Sequence, residues 1–443
     1  MSLKNGMGID DVAVIKISSF KGLTQLEFAI LLVLIVFAFL LNFMVEWKFF
    51  RLGVINQWDV VFDADPASYL SELANGWGGG KRGGISHPNY SNFFNPIIRV
   101  LSKIVIWLSP GLEEISVRKQ LALVIMPLAS MLQTLFVYFI MRHLRFTHLQ
   151  ALVVSLLGIV SFSQIIFGSL PESFSLSSLA ITCGILLMVN AEQNKAGYLS
   201  IGWLSLQIFA IGITITNIIP ISILHFSKLY SSELKPWNSL FRSSVTAVVA
   251  IILTIVISYT FNLIYQAPES SNSNIVREEA IRLDPIQRFI TFPSALANTF
   301  IATRPRIVEN EPAIQNHHRF PYMFTFEGKP SPSLLKRPLA SALLVAMLIG
   351  ALMLMRGPTI EQITSLALLG IVAYNWLFHS FWGTELFLYS GHWLVPELIL
   401  LGGFFRLPGI SNTLALALSI TIIVGVAANN ATILHFILTT LSN

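Results

Sequence analysis

The feature that most constrains this chain is a series of apolar runs, each close to the length of a bilayer crossing. The first covers residues 26–45 and contains EFAILLVLIVFAFLLNFMV. A hydrocarbon core of roughly 30 Å takes about 20 helical residues to cross. Further runs lie near 119–141, 149–167, 173–191, 243–264, 339–355, 362–379, 393–405 and 411–430, and a last apolar piece ends at Asn443. The stretch 199–226 is apolar but interrupted by Gly212, Asn217 and Pro220. Composition agrees: 54% of residues are apolar, only 12% are charged, and mean hydropathy is +0.69. A soluble domain carries about twice that charged share. The expectation is an all-α polytopic membrane protein, one unit over 1–443, with about ten to twelve membrane helices.

Charge and punctuation set the layout. The net charge of +5 is small and suits loops facing anionic lipid, with no basic run that points to nucleic acid. Cys183 is the only cysteine, so no disulfide forms within the chain. The first apolar run follows a long polar lead, which makes it a retained anchor rather than a cleaved signal; the lead around Val12–Leu23 reads as an interfacial helix. Two polar stretches of about 70 residues, 46–118 and 265–337, are too long for tight connections. Arg142, Arg145, Lys195, Lys228, Lys235, Arg242, Arg356 and Arg406 sit in or beside short loops. All of them become cytoplasmic if 199–226 enters and returns as two half-length helices. The N-terminus is then inside, and both long stretches are extracytoplasmic loops. Within the first, 66–75 and 93–108 read as amphipathic helices. The second of these lies in the interface plane with Arg99 and Lys103 on its polar side.

Four groups of residues carry the candidate chemistry. Asp63 and Asp65 stand in FDADPASYL just past the first span. The bland reading makes Asp65 a helix cap and Asp63 a solvated acid; the functional one rests on the cost of ionisable groups at a membrane surface. Glu172, in Pro171-Glu172-Ser173, occupies a very short outer turn. It either favours the start of the next helix or points into the space the loops enclose, toward Asp63 or Asp65. His87, in HPNY, and Tyr389 and His392, in LYSGHW, lie near the outer boundary, as interfacial anchors or as donors to a phosphate or sugar hydroxyl. The 265–337 stretch holds Arg277, Arg282, Arg288, Arg304, Arg306, His317, His318 and Arg319 among acids. Arg304, Arg306 and Arg319 are the best placed to meet a phosphate leaving group. GWGGGKRGG at 76–84 lacks the Ser/Thr of a phosphate-binding loop and reads as a mobile loop or lid. Asn89-Tyr90-Ser91 fits a glycosylation sequon.

This order of features resembles the GT-C superfamily of membrane glycosyltransferases. FDADPASYL follows helix one, a large loop carries two amphipathic helices, PES falls between helices three and four, and GITITNIIPISIL is a broken segment. The likeness is one of architecture and covers roughly residues 24–270. It implies a sugar donor on a polyprenyl phosphate, with Asp63 or Asp65 matching the family's loop acid and Glu172 its second acid. It also implies a glycan, lipid or protein acceptor, and a multi-pass bacterial inner membrane protein with its site facing outward. Some members hold a divalent metal through such acids.

The chemistry expected is an inverting single displacement. A carboxylate takes the acceptor's proton while prepositioned Arg or His groups stabilise the departing phosphate. The lipid tail would lie in an outer-leaflet groove that the broken segment helps to form. The alternative is a transporter or flippase of lipid-linked or small substrates, since discontinuous helices are common in transporters; the two halves show no internal repeat. A polymerase or ligase of lipid-linked glycans is a third reading.

Overall fold

The computed structural model describes residues 24–57, 59–75, 87–190, 201–232, 235–265, 285–309, 319–326, 337–383 and 385–443. The polar lead, the 76–84 glycine-rich run, Lys195, Arg277, Arg282, His317 and His318 lie outside these residues.

The first helix, α1 (Gln25–Leu52), shows how the sequence builds a span. Thr24 and Glu27 form a reciprocal capping box, and Gly53 ends the helix at φ 86°. Only 22% of its most apolar window is buried, with Leu26, Val33 and Met44 each about 70% exposed. An apolar surface this wide is stable only in lipid. Five further helices are long and apolar enough to cross: Glu114–His143, bent into α4 (Glu114–Ala122) and α5 (Ile125–His143), then α11 (Pro236–Tyr265), α13 (Pro338–Met355), α14 (Thr359–Phe381) and α16 (Asn412–Ser442). A pair bent by 61°, the 3₁₀ turn Leu386–His392 and the helix beginning at Leu394, makes a seventh. Its second limb opens with α15 (Leu394–Gly402). Three apolar helices are shorter: α6 (His148–Val160), α8 (Ser173–Val189) and α9 (Ile201–Ile213). Among the described residues the full-length spans are thus fewer than the ten to twelve expected, and the shorter helices account for the difference. The 149–167 run breaks at Ser161, whose side chain caps α7 (Phe162–Phe167). The runs at 411–430 and the chain end fuse into the 31 residues of α16. Glu46, expected at the start of the first loop, lies inside α1 and is fully buried.

Hydrogen bonds assign the helix ends to two faces. On one, Arg406 donates to the Leu144 carbonyl and pairs with Glu361 at 2.7 Å, Gln150 reaches Asn412, and Lys228 donates to the Asn190 carbonyl at 2.6 Å. Arg142, Arg145 and Arg356 fall at the same helix ends, so this is the basic face. The other face gathers the ends that carry Asp65, His87, Glu172 and His392. The segment 199–226 joins neither face to the other. α9 and α10 (Ile218–Ser231) are joined at Thr214–Asn217, and Trp203 stacks on His225 at 4.7 Å. Residues that far apart can stack only if the helices fold back on each other. The pair is a hairpin with both ends at the basic face and its tip at the other.

On the tip's face lie α2 (Pro66–Asn75) and α3 (Tyr90–Leu108) of the first loop, and α12 (Pro285–Phe300) of the second. α3 is inverted: Ser91, Asn92, Asn95 and Ser102 are buried while Ile97, Val100, Trp107 and Leu108 are 58–79% exposed. Its exposed side is therefore the apolar one, the pattern of a helix suited to a bilayer interface. The second loop also forms β1 (Arg306–Glu309) and β2 (Tyr322–Thr325), an antiparallel pair. Phe324 accepts from the Phe62 amide and donates to the Val60 carbonyl, each at 2.9 Å. The two loops therefore share one small sheet edge. Asn89 of the sequon is fully buried and donates to the Thr254 carbonyl at 2.9 Å, so it is a structural tie rather than a glycan acceptor.

Candidate functional site

The acidic segment owes its shape to a strained turn. Among the described residues only four non-glycines have positive φ, and three are Asp59 (55°), Phe62 (54°) and Asp63 (60°). Aspartate tolerates this region; phenylalanine does so only when its surroundings leave no alternative. Here they do. The Phe62 ring is fully buried and packs on Phe326 at 4.6 Å, Phe387 at 4.9 Å and Phe162 at 5.8 Å, and its amide is bonded to Phe324. The turn delivers Asp63, half-buried, and then Asp65, whose carbonyl accepts from Ser68 at the start of α2.

Glu172 meets this segment across 107 residues. It is the N-cap of α8, its Oε2 accepting the Ser173 amide at 2.8 Å and its Oε1 the Asp65 amide at 3.1 Å. With 4% exposure it is buried. The expected convergence of Glu172 on Asp65 is thus present, made through the Asp65 backbone.

One turn into α2, Tyr69 brings in His87. Its hydroxyl lies 2.9 Å from His87 Nε2, while His87 Nδ1 lies 2.8 Å from the Ile213 carbonyl and 3.2 Å from Thr214 Oγ1 at the hairpin tip. A carbonyl can only accept, so Nδ1 carries the hydrogen and Nε2 accepts from Tyr69. Burial holds His87 below the usual histidine range, the Ile213 bond pulling the other way. Burial first and the Glu172 charge second push the Tyr69 phenol well above its ordinary value. Tyr90 stands edge-on to Tyr69 at 4.8 Å, wholly buried, and is pushed up likewise by burial and then by Glu172, Glu72 and Glu46. Glu72, one turn beyond Tyr69, is pushed up to about 7 by burial.

The residues from 386–392 arrive through Phe174, two positions past Glu172. Its ring contacts Tyr389 at 5.7 Å and His392 at 5.9 Å, both edge-on. Tyr389 stacks on His379 at 3.8 Å, and both ring nitrogens of the buried His392 are without a hydrogen-bond partner. Arg288 is buried behind them, donating to the His379 and Gly383 carbonyls at 3.2 and 2.9 Å.

The fold thus brings together Asp63, Asp65, Glu172 and His87, with Tyr389 and His392 adjoining. The three favoured arginines come from the second loop, and of these Arg306 lies in the strand pair that is bonded to the aspartate turn. Arg304 is exposed with its guanidinium 4.1 Å from the Phe436 ring, Arg306 is in β1, and Arg319 is exposed beside Gly53 and Phe320. Arg288, which is not one of the three favoured arginines, is the one buried beside the turn that carries Tyr389. Tyr69, Tyr90, Glu72 and Glu46 were missed. The first three share the faces of two short helices, YLSE in α2 and the opening of α3, a spacing that would have singled them out had the two helices been known to pack together. Among the described residues no group of three or more His, Cys, Asp or Glu is placed to hold a metal ion. The cavity of about 600 Å³ between α10, α11 and α14 is apolar, lined by Ile223, Phe226, Trp237, Leu240 and Leu366. It lies in the half of the bundle nearer the basic face, not beside the acids. No protein-family model matches the chain, and no curated protein matches it.

Proposed function

We propose that this integral membrane protein is a glycosyltransferase that moves a sugar from a polyprenyl phosphate to an acceptor on the outer side of a bacterial inner membrane. The observation that carries the reading is the bond between the loop acid segment and the helix-turn acid, Asp65 amide to Glu172 Oε1 at 3.1 Å. These are the two features that the GT-C likeness relies on, and they are contiguous although 107 residues apart. In this reading Asp63 or Asp65 takes the proton of the attacking hydroxyl. Glu172 is spoken for by two backbone amides, so its larger part is to hold the aspartate segment in place. The neutral His87 and the Tyr69 hydroxyl offer donors and acceptors to sugar hydroxyls. The phosphate needs cations; the candidates are Arg288, buried behind Tyr389, and Arg306, whose β1 pairs with the strand that is bonded to the aspartate turn.

The test is transfer from radiolabelled polyprenyl-phosphate sugars by detergent-purified protein, wild type beside Asp63→Asn, Asp65→Asn and Glu172→Gln. Loss of transfer in one aspartate variant that still folds identifies the base. Failure of every donor in a broad panel, or full activity in all three variants, sinks the assignment. The α9–α10 hairpin favours a second reading, a transporter or flippase of lipid-linked or small substrates, because discontinuous helices serve that role. A transporter yields no product in detergent, where no gradient exists.

A further inference from the structure

Glu385 joins three parts of the chain that stand far apart in the sequence. It immediately precedes the 3₁₀ turn Leu386–His392, which carries Tyr389 and His392. It is 3% exposed, and its Oε1 accepts the Phe326 amide at 2.8 Å, across 59 residues. Phe326 follows directly on β2. Two residues earlier, Phe324 is bonded to Val60 and Phe62 at 2.9 Å. The tie therefore runs from the bent span, through the end of the second loop's strand, to the aspartate turn.

The side chains repeat this connection. The Phe326 ring lies 4.6 Å from the Phe62 ring and 4.9 Å from Phe387, and Phe387 lies 4.9 Å from Phe62. The three rings close a triangle whose corners belong to the turn, the strand and the bent span. Glu385 fixes the backbone of the strand corner to that of the span. Phe62 needs such support, because a bulky side chain at φ 54° keeps that conformation only where its surroundings impose it. The far end of the same turn is gripped by Glu172 at the Asp65 amide. Asp63 thus stands in a segment held at both ends by a buried carboxylate. Burying a carboxylate is costly unless it is bonded, and a charged acceptor makes roughly twice as strong a bond as a neutral one. Position 385 therefore suits a strong tether better than a space-filling residue.

We propose that Glu385 is a positioning residue for the candidate site: by holding the Phe326 amide it keeps Phe62 at positive φ, and so sets where Asp63 and Asp65 stand relative to Tyr389 and His392. It acts through Phe326 rather than on a substrate. The inference rests on the aspartate turn being the working part of the site, as the proposed function has it. Its test reads the turn itself and needs no turnover, so it succeeds or fails independently of the transfer assay.

The lone cysteine makes the test direct. In a Cys183→Ser background, Ala64→Cys places a thiol in the turn at a wholly buried position, and Ala151→Cys places one at a wholly buried position of α6 near the basic face. Detergent-purified full-length protein is treated with a small methanethiosulfonate, which reaches either thiol only when its surroundings open. Glu385→Ala removes the acceptor, and Glu385→Asp keeps the charge but is one methylene too short to reach the amide. Each should speed labelling at position 64 at least about fivefold and leave position 151 unchanged. Glu385→Gln keeps an accepting oxygen and should stay within about twofold of the parent. An unchanged rate at position 64 overturns the proposal. So does an equal rise at both positions, which would make Glu385 a support of overall stability alone, and so does a Gln variant that behaves like Ala. Should Glu385→Ala fail to fold, Glu385→Asp carries the same comparison.

Discussion

A carboxylate that caps a helix and also holds a distant amide keeps two backbones in place at once, and Glu172 does this for α8 and for Asp65. Replacing it with alanine leaves two buried N–H groups without an acceptor. We expect Glu172→Ala to cost on the order of 2–3 kcal/mol and Glu172→Gln, which keeps an accepting oxygen, roughly half as much. Melting curves in detergent decide it, and equal, negligible losses in both would remove Glu172 from this role. Glu72 gives a pH signature. It keeps its proton to about 7 in the folded chain, against an ordinary value of 4.5. Between these values the folded state binds more protons than the unfolded one, so stability falls as pH rises from 4.5 to 7 and the contribution is gone above that window. Glu72→Gln should flatten the melting temperature across this range, and an unchanged slope would refute the shift. Asp63, Asp65 and Glu172 stood out in the sequence because acids are conspicuous beside apolar runs. Tyr69 and Tyr90 did not, since an aromatic residue in an amphipathic helix looks the same whether it packs or reacts.

At the scale of elements, the turn 382–392 depends on one glycine. Gly383 has φ 95°, and a β-carbon there would run into the Tyr389 hydroxyl. Gly383→Ala should therefore strain the backbone and push Tyr389 off His379, at a cost on the order of 1–3 kcal/mol. In a Tyr389→Ala background, which lacks the ring, Gly383→Ala should cost less, because only the φ penalty is left; an equal cost in both backgrounds would place the strain elsewhere. The sequence read this region as a simple helix from 393, because a left-handed turn leaves no periodic signal. Polar residues misled it twice more. Asn430 suggested the end of a span, yet its amide donates to the Val160 and Phe300 carbonyls and α16 runs through. Glu46 suggested the start of a loop because a buried acid within a span is rare.

For the whole molecule, membrane class was legible from the apolar runs alone, and the returning hairpin from the placement of Lys228 and its neighbours. The pairing of the two loops was not, since nothing local links Val60 with Phe324. α1 starts at the basic face, where Glu27 feels His148 and Arg142, and α16 ends at the other, where the Thr440 carbonyl accepts from Tyr322. Reporter fusions should therefore place an amino-terminal tag in the cytoplasm and a carboxy-terminal tag outside; finding both on one side would overturn the topology. The bonds between Phe324 and residues 60–62 also bear on biogenesis. Membrane chains are inserted in the order of their synthesis, so the aspartate turn reaches its face of the bilayer more than two hundred residues before the strand that holds it. Until then Phe62 has no reason to remain at positive φ. The nascent protein thus passes through a long interval in which its acids are in place along the chain but unshaped, and a chain cut short before the second loop would span the bilayer yet never assemble the site.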